Sequence, residues 1–177
     1  MLPVFDLLQR INRSDFPFLV VGGHAVILHG IPRFTRDLDL LIPENSIESW
    51  LTLLGKLGYQ SYHRSEAFVQ LEASAQGALP PVDLMIVDST TWSKLLEKSL
   101  EQNSGAGGVL PVPHPWHLIA MKLQAASAPT RRGSAVDWSD ILQLILSCSI
   151  NIADPEFRAI VLKYGGDSAL QRIDEAK

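Results

Sequence analysis

The stretch GGHAVILHGIPRFTRDLDLLI, residues 22–42, holds a carboxylate pair, Asp37 and Asp39, with one leucine between them. Residues two apart in a strand point to one face. The two carboxylates therefore project together, while Leu38, Leu40 and Ile42 face the other way. Two carboxylates about 4 Å apart repel by roughly 4 kcal/mol at an effective dielectric of about 20. Protonating one of them, or placing a cation between them, relieves that repulsion. Mg²⁺, which prefers oxygen ligands, is the natural cation where phosphate is also present.

Gly22 and Gly23 supply the other half of the pattern. They end an apolar run and open a helix, and their bare backbone N–H groups can approach a phosphate closely. Asp83, early in VDLMIV (82–87), joins the same cleft if that strand lies beside DLDLLI. Three carboxylates on neighbouring strands would bind two Mg²⁺ ions. One ion would activate an attacking hydroxyl and the other would neutralise a triphosphate and its leaving pyrophosphate. Each piece alone has an ordinary reading: a turn, a solvated strand face, a strand-end acid paired with an arginine. The order of strand, glycine pair, helix and Asp-x-Asp strand is more specific, and it fits nucleotidyl transfer.

The elements that must hold these residues follow from periodicity. Val4, Leu7, Leu8 and Ile11 predict an amphipathic helix over 3–13. FPFLVV (16–21) reads as a short strand, HAVILHG (24–30) as a helix closed by Gly30, and DLDLLI (37–42) as a strand stopped by Pro43. A helix over 46–58 follows, capped at its start by Asn45 or Ser46. YQSYHR and AFVQLEA read as a strand pair, VDLMIV as a buried strand, and 90–102 as a helix with Asp88 at its start. VLPVPHP reads as a crossing segment. Beyond it lie helices over 115–127 and 135–149, one with an Asp-Pro start, and a last one over 167–177. The expected class is α+β: a small mixed sheet with packed helices over 1–110, then a helical unit over 111–177 that covers one side of the cleft.

Composition sets bounds. With 177 residues, 46% of them hydrophobic and 19% charged, the chain can bury a core. A net charge of −4 is unlike a dedicated nucleic-acid binder, so an RNA partner would need a local basic patch. Arg131 and Arg132, with Lys122 upstream, are the evident cluster. The single cysteine, Cys148, lies in an apolar run and reads as a small buried hydrophobe. Neither a signal peptide nor a membrane span is expected, which points to the cytoplasm.

Residues 22–42 resemble the signature of the polymerase-beta-like nucleotidyltransferases. Within that superfamily they are most similar to the AbiEii-like toxin and minimal nucleotidyltransferase groups. The stretch GG-x-A … R-x-T-x-D-h-D is matched by Gly22, Gly23, Ala25, Arg33, Thr35, Asp37 and Asp39. HLIAMKLQAASAPTRRGSAVDWSDILQLI is similar to a helical segment of the same groups, matched at Lys122, Arg131 or Arg132, Asp137 and Asp140. The resemblance spans roughly 16–146. It implies that Asp37 and Asp39 ligate Mg²⁺ and that Asp83 is the third acid, the general base for the acceptor hydroxyl. It implies that Gly22 and Gly23 hold triphosphate oxygens, with Arg33, Thr35 and Lys122 as further nucleotide contacts. Many members carry serine where Gly23 stands.

The resemblance also implies NMP transfer from an NTP to a protein, tRNA or small-molecule hydroxyl, in a protein that is one half of a toxin–antitoxin pair with a cognate antitoxin. Antibiotic-modifying nucleotidyltransferases share the core motif. A catalytically silent nucleotide-binding or interaction module is the reading from another class, and the complete acid set favours activity over it. His24 reads as a satisfied first-turn residue. Arg33 and Arg36 flank the approach to Asp37. His114 and His117 read as helix-start residues, and Trp138 as core.

Overall fold

A computed structural model describes residues 3–74, 79–105, 108–127 and 134–176. The chain divides into two compact units. One runs through Leu28 and from Arg33 to Pro113; the other comprises His29–Pro32 and the residues from His114 on.

The first unit opens with α1 (Pro3–Asn12), whose Leu7, Leu8 and Ile11 are buried. Then come β1 (Leu19–Val20), α2 (Gly22–Leu28), β2 (Leu38–Pro43) and α3 (Ile47–Lys56). β3 (Tyr59–Arg64), β4 (Phe68–Ala73) and β5 (Val82–Val87) follow, then α4 (Ser89–Glu97), β6 (Leu100–Asn103) and β7 (Val109–Val112). Five strands form one mixed sheet in the order β1-β2-β5-β4-β3, with β2 and β5 parallel and the other neighbours antiparallel. One sheet face is apolar: Leu38, Leu40, Val69, Leu71, Val82 and Leu84 are each 2% exposed or less. Each such side chain contributes about 1.5–3 kcal/mol on burial. That alternation fixes register, because a one-residue slip would turn the set toward the opposite face.

Three local expectations change. The strand expected over 16–21 shrinks to Leu19–Val20. Phe16 and Phe18 set their ring edges against Trp50, and Trp50 Nε1 donates to the carbonyl of Pro17, so this segment packs on α3 instead of extending the ladder. The helix α2 starts at Gly22, so the glycine pair is its first turn. The helix expected over 90–102 ends at Glu97, and Leu100–Asn103 pairs with Val109–Val112 as a separate two-stranded sheet. Pro111 is accommodated in β7 because a two-stranded sheet leaves one edge of each strand unpaired. Asp88 does start α4, accepting from the N–H groups of Thr90 and Thr91. The Thr91 hydroxyl, which also donates to Asp88, holds that carboxyl below the usual range, and those backbone bonds act in the same direction. Ser46 turns its hydroxyl to Pro43 O and makes no side-chain cap.

The second unit holds α5 (Pro115–Ala126), α6 (Ser134–Ser147) and α7 (Pro155–Glu175). His114 caps α5, its Nδ1 accepting from Trp116 N. Asp154 caps α7, and Gly166, at φ 71, kinks it into the two helical runs that the sequence suggests. Trp138 is half-buried, with the Arg172 guanidinium 4.3 Å from its ring centroid. Cys148 is half-buried instead of fully buried, and desolvation pushes its thiol up. Among the described residues no helix is long and apolar enough to cross a membrane.

Candidate active site

The polar face of the five-stranded sheet carries the acids. Asp39 on β2 stands opposite Asp83 on β5, Asp83 opposite Gln70 on β4, and Gln70 opposite His63 on β3. A single row of polar residues thus crosses four strands. Gln70 Nε2 donates to Oδ1 and Oδ2 of Asp83, at 3.3 Å each. Asp37 lies at an exposed bend just before β2, two residues from Asp39.

Tyr62 lies on β3, where the register shifts between Ser61 and His63. Its phenol is pushed above its ordinary value, first by partial desolvation and then by the charges of Asp83, Asp37 and Glu72. Sequence reasoning found neither Tyr62 nor Gln70. The period-2 alternation of FVQLEA pairs Gln70 with Glu72 on one face, yet nothing local says that Asp83 lies next to that face.

The glycine pair adjoins Asp39. Val21 N donates to Asp39 O at 3.0 Å, tying the end of β1 to β2. Gly22 has φ +60, and a Cβ there would overlap the Asp39 carboxylate and lie 2.8 Å from Asp39 Cβ. A Cβ on Gly23 would lie 2.7 Å from Thr35 Oγ1 and 3.2 Å from Arg33 Cζ. Four of the expected nucleotide-contact residues, Gly22, Gly23, Arg33 and Thr35, are therefore packed together beside Asp39. His24 is buried, and its Nδ1 donates to Asp37 O at 3.1 Å. Burial holds its pKa below 6.5, and the Arg33 charge acts in the same direction, against the hydrogen bond and charge of Asp37. The ring is thus a neutral support for the bend that carries Asp37. Arg36 is exposed.

Lys122 sits on α5 in the second unit and is 6% exposed. Its Nζ lies 2.6 Å from Asp140 Oδ2 and 3.2 Å from Asp137 Oδ1, both on α6 and both buried. The second motif therefore folds into a buried ion cluster that joins α5 to α6. Arg131 and Arg132 lie outside the described residues.

The donor chemistry of the three acids suits Mg²⁺: oxygen ligands on one face, two of them in register on adjacent strands. Among the described residues, however, no group of three or more His, Cys, Asp or Glu side chains is gathered to hold a metal ion. Asp39 packs on Gly22, Asp83 accepts from Gln70, and Asp37 lies at its bend. The acids fit the ion in kind and in face; they are not drawn together as a set.

No family model and no curated protein matches the chain. Solved structures do. The chain is similar to an antigenic nucleotidyltransferase-like protein from Paracoccidioides brasiliensis, with TM-score 0.57 and 17% identity, over 98% of this chain and 91% of that one. It is similar to ANT(2″)-Ia in complex with adenylyl-2″-tobramycin, with TM-score 0.65 and 12% identity, over 90% and 93% of the two chains. It is also similar to the lincosamide antibiotic adenylyltransferase LnuA, lincomycin-bound, with TM-score 0.54 and 14% identity, over 79% and 94%. At these identities the likeness establishes the fold, which is the mixed α/β fold of nucleotidyltransferase-like proteins.

Proposed function

We propose that this chain is a nucleotidyltransferase that moves a nucleoside monophosphate from an NTP to an acceptor hydroxyl and releases pyrophosphate. The observation that carries this reading is the in-register pair Asp39 and Asp83 beside the Gly22–Gly23 turn. The catalytic residues lie in the core, 1–110, and the helices α5, α6 and α7 follow it. Asp37, Asp39 and Asp83 would hold Mg²⁺. When bound, that ion supplies charge neutralisation at the triphosphate and its leaving pyrophosphate.

The chain's own groups do the rest. The backbone N–H groups of Gly22 and Gly23 take phosphate oxygens, with the Arg33 guanidinium and Thr35 hydroxyl beside them. Asp83 takes the proton of the acceptor hydroxyl. Positioning and electrostatics supply most of the rate. The resemblance also gives Lys122 a triphosphate contact; its burial between Asp137 and Asp140 favours a role in joining α5 to α6.

The acceptor is a protein, tRNA or small-molecule hydroxyl. Similarity to structures holding adenylyl-2″-tobramycin and lincomycin favours a small molecule and an antibiotic-modifying activity. The motif resemblance favours a toxin-like protein with a cognate antitoxin, and the net charge of −4 weighs against a large RNA. Calorimetric titration of each of the four NTPs with Mg²⁺, into wild type and an Asp37→Ala/Asp39→Ala variant, tests the reading. Saturable magnesium-dependent binding that the variant loses supports it. Absence of binding to folded wild type moves the assignment to a silent interaction module.

A further inference from the structure

We propose that Gln70 is a positioning residue for the transfer, whose neutral amide holds the Asp83 carboxylate in place and leaves it the charge that a divalent cation needs. This inference rests on the transferase reading above and deepens the part of Asp83 in it.

The sheet fixes both partners. Gln70 on β4 stands opposite Asp83 on β5 in an antiparallel pair. Val69 and Leu71 flank Gln70 and are buried, and so are Val82 and Leu84, which flank Asp83. Alternation therefore puts the amide and the carboxylate together on the other face. Directly opposed residues have Cβ atoms about 4.5–5.5 Å apart, a span that a glutamine side chain covers. Gln70 Nε2 lies 3.3 Å from Oδ1 and 3.3 Å from Oδ2 of Asp83. The nitrogen thus sits astride the carboxylate, and turning that group away breaks one contact or both. Asp83 stands between Asp39 and Gln70, because β5 lies between β2 and β4. One neighbour repels it and the other holds it.

The chemistry of the holder suits a cation site. An amide donates without bringing a charge, so the attraction of Asp39 and Asp83 for a cation is kept. Each carboxylate oxygen has two lone pairs, and one amide nitrogen takes at most one on each. Asp83 can therefore be held by Gln70 and still accept from a metal ion or an acceptor hydroxyl. The second unit shows the opposite solution. There the Lys122 ammonium lies 2.6 Å from Asp140 Oδ2 and 3.2 Å from Asp137 Oδ1, and it brings the neutralising charge itself. A lysine at position 70 would bring such a charge to Asp83.

The test measures Mn²⁺ binding by the full chain, from the loss of the free-ion EPR signal, with calorimetry of NTP binding in MgCl₂ alongside. Gln70→Leu removes the donor and should weaken Mn²⁺ binding by about 10–100-fold. Gln70→Lys keeps a donor, adds a charge and should weaken it further. In an Asp83→Asn background Gln70→Leu should change nothing more, because the amide acts through that carboxylate. A role in folding alone would lower the melting temperature and leave the Mn²⁺ affinity of the folded chain unmoved. Wild-type Mn²⁺ affinity in Gln70→Leu, rescue by Gln70→Lys, or an equal loss with and without the Asp83 carboxylate overturns the inference and leaves the transferase reading standing. So does a wild type that binds NTP and takes up no Mn²⁺. Failure of every NTP to bind overturns both. Gln70→Val, a strand former without a donor, serves where Gln70→Leu misfolds.

Discussion

Gly22 and Asp39 share a space that has no room for a side chain on the glycine. A Cβ at Gly22 would lie 2.8 Å from Asp39 Cβ and overlap the carboxylate, and Gly22 also has φ +60. Gly22→Ala therefore incurs backbone strain of about 1–3 kcal/mol and overpacking of about 1–3 kcal/mol. The expected loss in urea denaturation is roughly 2–6 kcal/mol. NTP affinity should fall with it, because Asp39 must move. A loss below roughly 1 kcal/mol would mean that the carboxylate swings clear at little cost, and that this contact does not set its position.

Asp39 and Asp83 stand in register on adjacent parallel strands. Neighbouring strands stand about 4.8 Å apart, and two like charges at that distance repel by about 3 kcal/mol at an effective dielectric of about 20. Asp83→Asn keeps the shape, removes one charge and weakens the acceptance from Gln70. The variant should melt higher than wild type in dilute buffer, by less at high salt, while pyrophosphate release falls about 10²–10⁴-fold. A lower melting temperature in dilute buffer would show that the Gln70 contact outweighs the repulsion.

Much of the fold is written in local patterns, and much of the site is not. Period-2 alternation marks β2 and β5, and caps such as Asp88 and Asp154 mark helix starts. The strand pair β6–β7 is hidden because Leu100–Asn103 continues a helical stretch and Val109–Val112 contains Pro111; only their pairing makes them strands. The adjacency of Asp39 and Asp83 needs the assumption that two strands 44 positions apart are neighbours, which their shared apolar face makes reasonable. Tyr62 and Gln70 escape because a register shift and a strand order are properties of the sheet, and no residue carries them alone. The burial of Lys122 escapes for a similar reason: its partners Asp137 and Asp140 come from the next helix.

Lys122 distinguishes a structural cation from a nucleotide contact. Its ammonium is buried with two carboxylates. Lys122→Met leaves Asp137 and Asp140 buried without that cation, which costs about 3–5 kcal/mol. Combining it with Asp137→Asn and Asp140→Asn should restore most of the loss. Urea denaturation of the single and triple variants reads this directly. A stable Lys122→Met protein with weakened NTP binding would instead place the ammonium at the nucleotide.

His24 gives the fold an acid edge. Burial and the Arg33 charge keep its folded pKa below the ordinary 6.5. The unfolded chain therefore takes up this proton first as the pH falls. The contribution of His24 is fully present above about pH 6.5 and is lost as the pH drops from there toward the lower folded value, by up to about 1.4 kcal/mol per pH unit. His24→Gln keeps a donor for Asp37 O and removes the titration. Urea unfolding of both proteins between pH 8 and pH 5 should give a wild-type curve that falls more steeply below about pH 6.5. Parallel curves would mean that the ring accepts its proton in the folded state, and that the bend carrying Asp37 tolerates a cation beneath it.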